Sequence, residues 1–209
     1  MLIVAGLQKI GIPRYDGLEG VLAVITAHFS HLLSVVLLFK LTHVVFPTCS
    51  TRFCFTAAAL HIISPAGLFL SAPYAESSCA MLSFAGNFLF TKSLAGRGEN
   101  TSGHDLLVVL SGILFGIATT FRSNGILNGL LLLEEAFRVL WELKSSFQFA
   151  SARRLLATGL GGVIVGCGFV LPQYIAYSEY CLEANVPTLR PWCEKSIPSI
   201  YTFVQGHYW

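Results

Sequence analysis

Two short polar constellations stand out in an otherwise apolar chain. The first runs from Ser64-Pro65-Ala66-Gly67 into Ser71-Ala72-Pro73-Tyr74-Ala75-Glu76-Ser77-Ser78. Each proline removes a backbone donor and frees a carbonyl, and such broken backbone at membrane depth is tolerated where it is buried in protein or lines a wet cavity. Glu76 opens the next apolar run, where a carboxylate either complements the positive end of a helix or faces a ligand. The second constellation is Phe121-Arg122-Ser123-Asn124-Gly125, a polar turn that reads as a tight hairpin between two apolar runs. Arg122 is the sole Lys or Arg between Arg97 and Arg138, and a cation in or at the membrane is costly unless paired. Its guanidinium can fork onto a phosphate through two N–H donors, which suits a lipid phosphate. It can equally snorkel to headgroups or pair with Glu76.

Other reactive side chains point to packing. His28 and His31 share a helical face and His61 lies in the following apolar run, but no acid accompanies them in their own runs, so interhelical hydrogen bonds are expected. Gly159-Leu160-Gly161-Gly162 and Gly166-Cys167-Gly168 are preceded by no strand and followed by no Lys, so they predict close helix packing and not a phosphate loop. The six cysteines form no CxxC and pair with no His at zinc spacing, so no metal site is expected. Cys54, Cys79 and Cys167 sit in apolar runs as small hydrophobes. No GxSxG, HExxH or internal repeat is present.

The elements that must carry these groups follow from composition. Of 209 residues, 54% are apolar and only 11% are Asp, Glu, Lys or Arg, against about 25% in a soluble domain. With a mean hydropathy of +0.68, the chain is expected to be an all-α polytopic membrane protein. A net charge of +2 without a basic stripe excludes nucleic acid as a partner. A crossing needs roughly 20 mostly apolar residues, and the stretches poor in charge predict six spans over 18–39, 53–71, 76–92, 106–121, 125–141 and 155–177. Segments 1–17 and 178–209 flank this bundle. The first span is too long for a signal-peptide core, has an acidic flank and ends in no small-residue cleavage site, so it is expected to stay in the membrane.

Orientation follows from Lys and Arg in the short loops. Loops 40–52, 92–105 and 142–154 hold seven of them, against five on the opposite side, four of which lie in the terminal segments. Both flanking segments are therefore expected on the non-cytoplasmic, luminal side. Cys181 and Cys193 then share one short luminal loop, and an oxidising compartment lets them pair in a disulfide. The single sequon, Asn100-Thr101-Ser102, falls in a cytoplasmic loop and is expected to carry no glycan.

Taken in order, Ser64-Pro65-Ala66, Ser71 to Ser77, Phe121 to Gly125, and Pro191-Trp192-Cys193 with Pro198, Tyr201, Val204-Gln205 and Tyr208-Trp209 resemble the GPI mannosyltransferase 2 family from about residue 18 onward. The resemblance implies part of a C-type glycosyltransferase helical bundle in the endoplasmic reticulum membrane, with its active-site side luminal. It implies transfer of the second mannose, in α-1,6 linkage, from dolichol-phosphate mannose to the GPI precursor. No cofactor is implied; in fungal members a small membrane subunit is the implied partner. Arg122 is then the phosphate ligand with Ser123 and Asn124 beside it, and Tyr74 and Glu76 line the cavity near the sugar. An inverting transfer also needs a base, which the family carries as an acid near a Trp-Asp pair in the first luminal loop. Trp141, Trp192 and Trp209 precede no Asp, and Asp16 and Glu19 do not match that motif. No catalytic base is assigned, and the sequence is expected to be an internal piece of a longer protein or a divergent gene model, which binds donor lipid without completing transfer alone. Two other classes compete: a secondary transporter, which predicts a repeat and a charged midplane site, and a non-catalytic membrane subunit.

Overall fold

The computed structural model describes residues 17–64, 67–95, 102–182, 190–196 and 198–208. Among these residues every regular element is helical. Pro65, Ala66, Asn100, Trp209, Asp16 and the remainder of the segment before Gly17 lie outside the described residues.

Helix α1 (Leu18–Val45, 28 residues) begins after Gly17, whose φ of 87° ends the preceding chain in the left-handed region. It extends six residues beyond the expected span because Lys40 and His43 continue the helix past the apolar run. Helix α2 (Thr51–Ile63) is capped by Ser50, whose side chain accepts from the Phe53 amide. It stops at Ser64, which takes an extended conformation (ψ 149°) before Pro65, since proline disfavours helical geometry in the residue preceding it. The expected span 53–71 is therefore not one helix. A separate turn, α3 (Gly67–Ser71), follows the break.

Helices α4 (Glu76–Ala95), α5 (Ser102–Phe121) and α7 (Phe149–Tyr177) form the centre, with α5 packed between the other two. The buried positions of α5, Val108, Ser111, Gly112, Phe115, Gly116 and Thr119, recur at the three-to-four-residue spacing of one face. Phe90, Val108, Phe115, Leu132 and Val165 form the core cluster, drawn from α4, α5, α6 and α7. A Cβ on Gly112 would lie 2.5 Å from the Gly161 Cα, so here the two backbones touch. Gly116 likewise faces Ile164 and Gly168, and because both numbers rise together α5 and α7 run parallel. Small residues let membrane helices approach in this way. The packing expected of the glycine cluster holds for Gly161 and Gly168, whereas Gly159, Gly162 and Gly166 face open space.

The turn at Arg122 departs from the expected hairpin. Ser123–Asn128 is a 3-10 helix, and helix α6 (Gly129–Ser145) starts only after it. α5 and α6 touch little, and α7 packs against both. The physical reason lies in α6, which carries Glu134, Glu135, Arg138, Glu142 and Lys144 in 17 residues. Leu132, Glu135 and Val139 form its buried face, so it binds α7 as an amphipathic helix. After α7 a π turn (Ser178–Leu182) leads towards the tail, and α8 (Ile200–Tyr208) folds back on α7 through Phe169–Tyr201 and a 2.5 Å bond from Ser199 to Gln173.

Three helical stretches, Leu18–Val45, Ser102–Phe121 and Phe149–Leu182, are long and apolar enough to cross a membrane. The chain is thus a helical membrane protein with three such helices among the described residues, against six spans expected. Of the rest, α2 is too short, α4 is diluted by Ser, Asn and Lys, and α6 by its charges.

Candidate active site at one end of the bundle

Because α4 and α5 pack antiparallel and α5 and α7 parallel, the start of α4, the end of α5 and the end of α7 share one end of the bundle. The start of α1 joins them. The Pro73 loop enters this end through a tight turn, Tyr74 N to Ala72 O at 2.7 Å, and Ala75 then accepts from the Cys79 amide, which launches α4 with Glu76 in its first turn. Arg122 leaves α5 in an extended conformation, its amide still bonded to Ala118 O at 3.0 Å. Its carbonyl accepts from Gly125, whose missing side chain matters: a Cβ there would sit 2.8 Å from the Thr119 backbone nitrogen. Asn128 pins the 3-10 helix to α4 by donating to Ser83 Oγ and to Gly125 O, both at 3.0 Å.

These local devices bring Glu76 and Arg122 together. Arg122 Nη1 lies 2.5 Å from Glu76 Oε1, with the two side chains 42% and 29% exposed. The alternative in which Arg122 pairs with Glu76 is therefore the observed resting arrangement. Among the described residues, Nε and Nη2 of Arg122 make no hydrogen bond. Beside the pair lies a cleft of about 290 Å³ whose walls are Glu19, Leu22 and Thr26 of α1, Pro73, Tyr74 and Ala75 of the loop, and Phe121. Ala75 and Phe121 are the chain neighbours of Glu76 and Arg122. Tyr74 lines this cleft and is largely exposed. Ser123 is half-buried and Asn124 exposed on the 3-10 helix after Arg122.

Cys181 and Cys193 stand at the same end and are joined in a disulfide, Cα to Cα 5.7 Å. The bond closes the tail over Trp192, which is buried, while Arg190 stacks 4.7 Å above the Tyr180 ring. His31 and His61 stay in the packing between α1 and α2, where Ser34 Oγ and His61 Nε2 are 3.2 Å apart and the two rings meet edge to face at 5.5 Å, whereas His28 is exposed and bonds to Val24 O of its own helix. Among the described residues no group of three or more His, Cys, Asp or Glu is placed to hold a metal ion.

The opposite end of the bundle holds a network of charges that the sequence reading passed over. Arg154 of α7 donates to Glu135 (3.0 Å), to the His104 carbonyl (3.1 Å) and to Ser93 (3.0 Å). Arg138 grips both Glu135 oxygens and also Glu142, and Arg153 pairs with Asp105. The available signal was an acid, Glu135, inside the span expected over 125–141. Arg153 and Arg154 still count as basic loop residues for orientation, since that rule weighs Lys and Arg and not net charge.

The mannosyltransferase (PIG-V) family model matches residues 15–209. This chain belongs to that family. It is similar to GPI mannosyltransferase 2 of Chaetomium globosum, 41% identical over 231 aligned residues that cover 99% of this chain and 49% of the relative. GPI mannosyltransferase 2 of Gibberella zeae is 43% identical, with 95% and 46% covered, and that of Aspergillus oryzae 43% identical, with 90% and 44% covered. The chain thus spans about half the length of the curated family members it matches. No solved structure matches it. Both polar constellations and the disulfide fall within the segment matched by the family model.

Proposed function

We propose that this chain forms part of a GPI-anchor mannosyltransferase that transfers the second mannose, in α-1,6 linkage, from dolichol-phosphate mannose to the GPI precursor on the luminal side of the endoplasmic reticulum membrane. The observation that carries this reading is the half-exposed guanidinium of Arg122, whose Nε and Nη2 make no bond among the described residues and whose chain neighbour Phe121 lines a largely apolar cleft. A cation next to apolar walls suits an amphiphile whose phosphate terminates a hydrocarbon chain. In the transfer, the acceptor hydroxyl attacks the mannose anomeric carbon, the carbon–oxygen bond to phosphate breaks, and the lipid phosphate departs with one more negative charge. Arg122 offsets that charge, with Ser123 and Asn124 as neighbouring donors. Tyr74 packs against the sugar in the cleft. The acceptor's proton passes to a base outside the residues assigned here.

In the membrane, six segments take part in a C-type glycosyltransferase bundle: α1, α2 with α3, α4, α5, the 3-10 helix with α6, and α7. Residues 1–17 and 178–209 lie in the lumen, and a small membrane subunit is a partner. Support comes from the bias of Lys and Arg towards the loops at the other end and from the printed names of the relatives. The test is a chimera in which this chain replaces the matched half of the Chaetomium globosum relative, expressed in cells lacking GPI mannosyltransferase 2. Rescue of surface GPI-anchored proteins is expected. Stable expression without rescue overturns the reading.

A further inference from the structure

We propose that Glu76 is a positioning residue for Arg122, holding the guanidinium by one amino group so that its other edge is presented to a lipid-linked phosphate. This deepens the reading of Arg122 as the phosphate ligand and rests on it. The sequence alone left Glu76 as a helix-end acid, a sugar-facing group or the partner of Arg122, and the observed pairing gives it a positioning role.

Glu76 bonds Nη1 alone, through one oxygen, at 2.5 Å. A carboxylate frequently takes two arginine donors in parallel, as Glu135 takes Nε and Nη2 of Arg138, and Glu76 does not. The single contact leaves Nε and Nη2, the pair of donors that matches two phosphate oxygens, without a protein partner among the described residues. Both anchors are fixed independently of each other. Glu76 is set by the Pro73 loop and the first turn of α4, and Arg122 by its amide bond to Ala118 and the Gly125 turn. The contact therefore joins two connections 46 residues apart and restricts a side chain that otherwise has several rotatable bonds. Fixing a fork before the ligand arrives reduces the ordering cost of binding.

The carboxylate also sets a limit. A phosphate seated on the open edge of Arg122 lies near a second anion, so Glu76 weakens ligand charge while it aims the donor. Removing the charge and removing the contact thus have opposite effects. Glu76→Gln keeps an acceptor oxygen for Nη1 and loses the charge, whereas Glu76→Ala loses both.

The test measures binding of a short-chain isoprenyl phosphate, and of the matching isoprenyl alcohol, to this chain in lipid nanodiscs. Wild type, Glu76→Gln, Glu76→Ala and Arg122→Ala are compared, with the melting temperature of each recorded. Arg122→Ala is expected to remove the preference for phosphate over alcohol. Glu76→Ala is expected to lower phosphate affinity about tenfold while alcohol binding stays constant, and Glu76→Gln to bind phosphate at least as tightly as wild type. Tighter phosphate binding by both Glu76 variants would reduce Glu76 to a competing charge and overturn the proposal. Loss by both in parallel with a fall in melting temperature and in alcohol binding would make it a structural contact and overturn it equally. If Arg122→Ala keeps the phosphate preference, the reading of Arg122 itself fails, an outcome separate from any result with Glu76.

Discussion

Replacing Arg154 by methionine removes the guanidinium at the end of the bundle opposite the candidate site and keeps most of the aliphatic stem. Arg154 is 12% exposed and Glu135 only 3%, so both charges are largely withdrawn from solvent. Three bonds of 3.0 to 3.1 Å reach Glu135, His104 O and Ser93, and Asp105 lies 3.7 Å away, so one side chain ties α4, α5, α6 and α7 together. Breaking a buried charge network by deleting one partner costs about 3–5 kcal/mol. Arg138 still grips both Glu135 oxygens in the variant, which places the expected loss near the lower end, about 3 kcal/mol. Arg153 pairs with Asp105 from a more exposed position, and Arg153→Met is expected to cost about 1 kcal/mol or less. Unfolding in mixed micelles with rising SDS, followed by circular dichroism, reads both. Equal losses for the two variants, or a loss below about 1 kcal/mol for Arg154→Met, would refute the reasoning.

Gly125→Ala is expected to destabilise the Arg122 turn by about 1–3 kcal/mol, because the new methyl meets backbone atoms of α5 that cannot yield; the melting temperature checks it, and an unchanged value contradicts the close approach. Reduction of the Cys181–Cys193 bond, 12 residues apart in sequence, is expected to cost about 3 kcal/mol by the chain-entropy estimate and to free α8 for proteolysis. Alkylation of both thiols without reductant would show that the bond does not form. Asn100, outside the described residues, is expected to carry no glycan, so endoglycosidase leaves gel mobility unchanged; a shift abolished by Asn100→Gln would reverse the orientation.

The sequence made the helical membrane class and the site's polar residues legible because charge is scarce enough that each exception is visible. Arg122 could be singled out since no other Lys or Arg lies within twenty residues on its N-terminal side, and Glu76 since it follows a broken backbone. Cys181 and Cys193 were readable from their nearness in one polar segment. The pairing of Glu76 with Arg122 could only be left open, because it depends on the order in which α4, α5 and α7 stack. That order is set by the Gly112–Ile113–Leu114–Phe115–Gly116 spacing on α5, a signal available in the sequence but overlooked beside the denser glycines of α7. The span expected over 125–141 runs through Glu134, Glu135 and Arg138, and in the structure α6 is amphipathic, with Glu135 turned inward and matched by Arg138 and Arg154. Pro65 ended α2 one residue earlier through its effect on Ser64, which an apolar window cannot register.

The most direct measurement of the central claim is mannose transfer from radiolabelled dolichol-phosphate mannose to a singly mannosylated GPI precursor, using membranes that contain the chimera with the Chaetomium globosum relative, and its Arg122→Lys and Arg122→Ala forms. The account predicts transfer by the unmodified chimera and loss of most of it in both variants at equal expression, since an ammonium cannot reproduce the bidentate fork on phosphate. Full activity of Arg122→Ala would contradict it.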